Sequence, residues 1–171
     1  MAGLLDRVER GVALLNRAMR GLGMLALLAA ALILTSSVVT RYVLHASTDW
    51  QDEAAVFCLV GAVFLCSGWV QAERGHIGIE AVAALLPPRV NRWRLGLVDA
   101  VSLAFCAFFA WKSATLLHEA WVEGQTTDSS WAPPLWIPYG LMTAGMLLLT
   151  LQLALQFAAR CAGREARRVS R

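Results

Sequence analysis

The sequence predicts an all-α integral membrane protein, a bundle of four transmembrane helices with further interfacial helices at the N-terminus and in mid-chain. Three observations predict it. Four apolar runs, Gly21–Thr40, Ala54–Val70, Leu95–Leu117 and Leu135–Ala159, each have the about 17–25 residues that a helix needs to cross about 30 Å of hydrocarbon. The 15 Lys and Arg residues alternate between segments: 4 before the first run, 1 in the first loop, 4 in the second, 1 in the third span and loop, and 5 in the tail. That asymmetry predicts both termini and the middle loop on the cytoplasmic side. Trp50, Trp69, Trp93, Trp111, Trp131 and Trp136 lie at or near span ends and Trp121 just beyond one, as indoles that keep the ring buried and the N–H wet do.

In order along the chain, residues 1–20 have the pattern of an amphipathic helix, with Leu4, Leu5, Val8, Val12 and Leu15 at helical spacing and Arg7, Arg10 and Arg17 between them. Such a segment suits the cytoplasmic surface, with Gly21 and Gly23 as the place where it turns into span one. The first apolar run is longer than a signal-peptide core and is preceded by twenty residues, which predicts an uncleaved signal-anchor. Thr35, Ser36 and Ser37 offer hydroxyls to the helix or a neighbour. Asp49, Asp52 and Glu53 stand where the N-terminus of span two favours acids and caps, and Gly61 and Gly68 permit close helix approach. His76 to Leu86, stopped by Pro87-Pro88, is too short to cross and predicts a cytoplasmic interfacial arm. Asp99 and Lys112 in span three are about 20 Å apart along a helix, too far to pair, and are expected to snorkel toward the two interfaces. Pro133, Pro134 and Pro138 open span four, and Gln152 and Gln156, one turn apart, predict interhelical bonds. The spans are placed at about 21–44, 53–71, 94–118 and 135–159, in a single membrane domain over 1–171.

Composition excludes several functions. The chain is 58% hydrophobic and 16% charged, which leaves no room for a soluble catalytic domain, and a net charge of +3 is too small to imply nucleic acid. Cys58, Cys66 and Cys106 fall in spans and Cys161 in the tail, without CxxC spacing, so they read as small core residues rather than a disulfide or metal framework. His45 and His118 both fall near the outer boundary. Haem ligands are expected to face each other inside a bundle, and these lie at or past span ends, so no cofactor is expected. A proton-coupled exporter needs a carboxylate at the bilayer midplane. Asp99 is the one acid well inside a span and is off-centre, so this chain is not expected to carry a solute itself.

One constellation remains: Arg41-Tyr42 ending span one, Trp50-x-x-Glu53 opening span two, Gly75-His76-Ile77-x-x-Glu80 after its exit, Gly124-Gln125-Thr126-Thr127 in the third loop, and Pro134-Leu135-Trp136-Ile137-Pro138-Tyr139 opening span four. In this order over about residues 20–157, it resembles the small membrane subunit of tripartite ATP-independent periplasmic (TRAP) transporters, the DctQ-like family. The resemblance implies a non-catalytic subunit that braces a large permease subunit in the bacterial inner membrane. The permease would use an ion gradient, usually sodium, to take up a carboxylate solute delivered by a periplasmic binding protein. One departure is Met142-Thr143-Ala144-Gly145, where many relatives have proline at or near Thr143, which implies a different bend in span four.

Six residues are the structural or interface candidates: Arg41, Trp50, Asp52, Glu53, His76 and Glu80. Arg41 and the acids Asp52 and Glu53 meet the same outer boundary across a short loop, which reads either as a span-end anchor with helix N-capping or as an interhelix ion pair, with Arg41–Glu53 left open as one such pair. His76 and Glu80, one turn apart, can bond each other. Two alternatives stand beside this reading: a respiratory-oxidoreductase membrane anchor with a haem or quinone site, and a purely structural assembly factor.

Overall fold

The computed structural model describes residues 2–73 and 87–161, and the described residues are helical apart from short connections. Helix α1 (Ala2–Val39) passes into a π-helical turn (Thr40–Leu44); α2 (Asp49–Ala72), α3 (Pro88–Val122) and α4 (Trp136–Cys161) follow. All four helices are long and apolar enough to cross a membrane.

Helix α1 does not turn at Gly21 and Gly23. It is one rod of 38 residues, about 57 Å long, longer than the about 40–45 Å of a bilayer with its headgroups. The reason is packing. Val12 and Asn16, on the N-terminal half, are buried in the bundle, so this half is held in line with the span rather than laid flat. Gly23 is used for close approach: a Cβ there would meet the Ala62 carbonyl oxygen of α2 at 3.3 Å.

The turn between α1 and α2 is made by backbone geometry. The π-helical segment widens the last turn, and His45, in the left-handed region at φ 51°, ends it with its N–H on the Thr40 carbonyl. The Thr48 carbonyl then accepts from the N–H groups of Gln51 and Asp52 to start α2. The expected carboxylate caps are not formed, since α2 has no side-chain cap bond. The Asp49 and Asp52 charges still favour its first turn. On the same side, Gly124 at φ 62° closes α3, with the Gln125 N–H on the Ala120 carbonyl. Main-chain bonds from Leu135 to Gln125 and from Thr127 to Pro133 then close the α3–α4 hairpin.

The helices form a row rather than a closed square. α1 packs on α2, α2 on α4, and α4 on α3. Burial follows this order: the membrane segments of α2 and α4 are 28% and 22% buried, those of α1 and α3 17% and 11%. α2 and α4 are therefore central, and α1 and α3 are the edges. At the α2–α4 seam Gly145 brings the α4 backbone against the Phe64 carbonyl of α2. α4 runs without interruption from Trp136 through the Thr143–Gly145 stretch.

Candidate functional site: two polar clusters

Polar side chains inside an apolar assembly are costly unless paired, so their partners show what the assembly is built to hold. The polar side chains that bond from one helix to the next gather toward the two ends of the helices. One cluster lies on the side of the two hairpins, the other on the side of the chain termini.

The hairpin-side cluster centres on Arg41. Placed in the π-helical turn, its guanidinium donates to the Thr48 hydroxyl at 2.7 Å and to the Asp52 carboxylate at 2.9 Å. Ser37, one turn earlier on α1, donates to the other Asp52 oxygen at 3.1 Å. Thr48 and Ser37 are buried, while Arg41 and Asp52 are about half exposed. Of the two acids at this boundary, Asp52 takes the arginine. Thr48, the residue before α2, and Asp52, one turn further on, both reach Arg41, whereas Glu53 is rotated about 100° round the helix. One Glu53 carboxylate oxygen is buried without a hydrogen-bond partner among the described residues. Trp50 meets Trp131 edge-on at 6.4 Å and so ties one hairpin to the other. His76 and Glu80 lie outside the described residues.

With this geometry Arg41→Ala removes two hydrogen bonds and leaves Asp52 with Ser37 alone. Because the pair is half exposed and screened, a fall of only about 1 kcal/mol in stability is expected. Thermal unfolding in detergent checks it, and Arg41→Lys is expected to recover part of the loss.

The terminal-side cluster is a ladder on one helix. Gln152, Gln156 and Arg160 stand at successive turns of α4, and each reaches a different neighbour. Gln152 accepts from the Asn16 amide of α1 at 3.1 Å. Gln156 exchanges two bonds with Gln71 of α2, at 2.8 and 2.9 Å. Arg160 meets Asp99 of α3 at 3.0 Å, with the two side chains only 13% and 12% exposed. Successive steps of four residues drift about 40° round a helix, which lets one ladder sweep across three partners. Beside it the Arg20 guanidinium lies 4.7 Å from the Trp69 ring centroid, a cation–π contact between α1 and α2.

The interhelical role of Gln152 and Gln156 agrees with their spacing. The expectation for Asp99 is corrected: it does not snorkel but is buried against Arg160. Sequence reasoning missed Asn16, and it took Arg160 for the first charge of the tail. Asn16 had a signal, since it stands one turn after Val12 on the apolar stripe of α1. His45 and His118 are both exposed and belong to the two edge helices, so the row does not bring them together.

Both clusters join helix to helix. They fix a shape. Among the described residues no group of three or more His, Cys, Asp and Glu side chains is arranged to hold a metal ion. A search of curated proteins finds no match, and neither does a search of solved structures. The family model described as Tripartite ATP-independent periplasmic transporters, DctQ component, matches residues 12–163, which takes in both clusters. An integral protein of the inner membrane with four spanning helices, the chain belongs to the family of DctQ components, the small subunits of TRAP transporters.

Proposed function

We propose that this chain is the small, non-catalytic brace of a TRAP-type secondary transporter. It holds a large permease subunit while that subunit takes up a carboxylate solute by symport with an ion, after delivery by a periplasmic binding protein. The observation that carries the reading is the α4 ladder: three consecutive turns of one central helix are each committed to a different neighbour. Side chains so engaged serve rigidity rather than passage of a solute. The whole chain acts as one membrane domain.

Reconstitution tests this. Alone in liposomes under an inward sodium gradient, the chain is expected to take up no carboxylate. With the permease subunit and the binding protein added, uptake is expected to appear. Solute uptake by this chain alone would overturn the brace reading.

The orientation we propose has both termini in the cytoplasm and both hairpins in the periplasm, supported by the arginine asymmetry. In a background free of native cysteines, Ser47→Cys and Gln125→Cys should react with an impermeant maleimide in intact cells, and Arg89→Cys should not. Labelling of Arg89→Cys alone would reverse the assignment. In this orientation the Arg41, Trp50, Asp52 and Glu53 region belongs to the surface offered to the binding protein, and His76 and Glu80 belong to the cytoplasmic arm.

A further inference from the structure

Helix α3 carries a charge where lipid does not suit one. Trp93 and Trp121 are 28 residues apart on it, about 42 Å of helix, which matches the distance between the two headgroup layers. Lys112 is nine residues inside Trp121, so its Cα lies about 8 Å within the hydrocarbon edge. It points away from the row and is exposed. Its ammonium lies 5.0 Å from the centroid of the neighbouring Trp111 ring, and Trp111 is itself 61% exposed. An intramembrane lysine is expensive and is normally paired or turned inward; a cation–π contact offsets part of that cost.

Lys112 also continues a stripe. Val101, Phe105, Phe108 and Lys112 recur at steps of four, three and four, the spacing of one helix face that receives another helix. The three apolar members are 60%, 65% and 56% exposed. The opposite edge of the row differs. The exposed face of α1, with Leu25 and Leu28, carries no charge between Gly21 and Val39, and lipid alone covers it without penalty.

We propose that the Val101–Lys112 flank of α3 seats a transmembrane helix of the large permease subunit, and that a carboxylate on that helix pairs with Lys112. The inference rests on the brace function above and adds which edge of the row does the bracing. An acid at this depth satisfies the lysine without the lysine having to snorkel to the headgroups, and the lysine satisfies the acid.

The test uses the full chain, affinity-tagged and co-expressed with its permease subunit. Benzoyl-phenylalanine replaces Phe105 or Phe108 on α3, or Leu25 or Leu28 on α1. Irradiated membranes should give permease adducts from the α3 positions. Adducts confined to α1, or none from either edge while the permease still co-purifies, would overturn the docking edge and leave the brace function intact. Failure of the unmodified chain to recover any permease would instead refute the brace function. Lys112→Met should cut permease recovery by about fivefold, within the range of interhelical polar contacts in membranes, and Lys112→Arg should preserve it. Monodispersity of the isolated subunit in detergent checks that Lys112→Met folds. If it folds and recovers permease like the wild type, the lysine is held by lipid phosphate and the carboxylate pairing is wrong.

Discussion

Gly145→Ala is expected to destabilise the row by about 3 kcal/mol, at the upper end of the cost of overpacking. A Cβ at Gly145 would fall within the Phe64 carbonyl group and 2.7 Å from the Phe64 Cβ. Backbone on one side meets backbone on the other, so no rotamer change relieves the clash, and α2 and α4 must separate. Between helices in lipid there is little hydrophobic force to offset the loss, because association rests on close packing and polar contacts. Two further glycines provide the scale. At Gly61 a Cβ would meet only the end of the Leu141 side chain at 3.2 Å, which can shift, so Gly61→Ala should cost less than about 1 kcal/mol. At Gly96 nothing lies within 4 Å, and Gly96→Ala should stabilise α3 by about 0.5–1 kcal/mol through helix propensity. Unfolding in mixed micelles titrated with sodium dodecyl sulfate ranks the three. A Gly145→Ala protein as stable as the wild type would show that the α2–α4 seam is looser than described.

Arg160→Met should be the most damaging single change in the terminal-side cluster, at about 3 kcal/mol. The arginine and Asp99 are nearly enclosed, and removing the cation leaves a carboxylate between α3 and α4 with no compensating charge among the described residues. The double change Arg160→Met with Asp99→Leu should recover most of the stability, since apolar residues often replace a buried pair without loss. The same micelle titration reads both. Equal stability of the single and double variants would show that the lone Asp99 carboxylate is not penalised and that the tie is not what holds α3 to α4. In the proposed brace, loss of this tie should also loosen α3, so permease recovery should fall with Arg160→Met and return with the double variant.

The two effects arise at positions of very different legibility. Gly61 and Gly68 stand out in the sequence as small residues inside a span, and both are buried in the row. Gly145 reads only as part of a departure from the family pattern, yet it makes the closest approach. Gln152 and Gln156 announce interhelical bonds by their spacing, but not their partners. Asn16 and Gln71 are 55 residues apart in the chain and meet the same face of α4. Asp99 looks like a snorkelling span residue and Arg160 like the first charge of the tail until the third and fourth helices are placed side by side. Arg41 is visible as a span-end cation, but which acid it takes depends on a π-helical turn that shifts its direction by a fraction of a helical turn.

Apolar run length, arginine asymmetry and tryptophan placement determined by themselves that the chain is a four-span helical membrane protein, and the ordered motifs determined its family. These are properties of each segment against the bilayer, and the bilayer reads each segment one at a time. Only the tertiary structure decided that the helices stand in a row with α2 and α4 inside, that α1 continues straight through Gly21, that Asp52 rather than Glu53 holds Arg41, and that Asp99 is buried against Arg160. Those outcomes depend on the rotation and depth of one helix relative to another. Lipid is as apolar as the helix faces, so hydrophobicity cannot select them; glycine contacts and pairwise hydrogen bonds do.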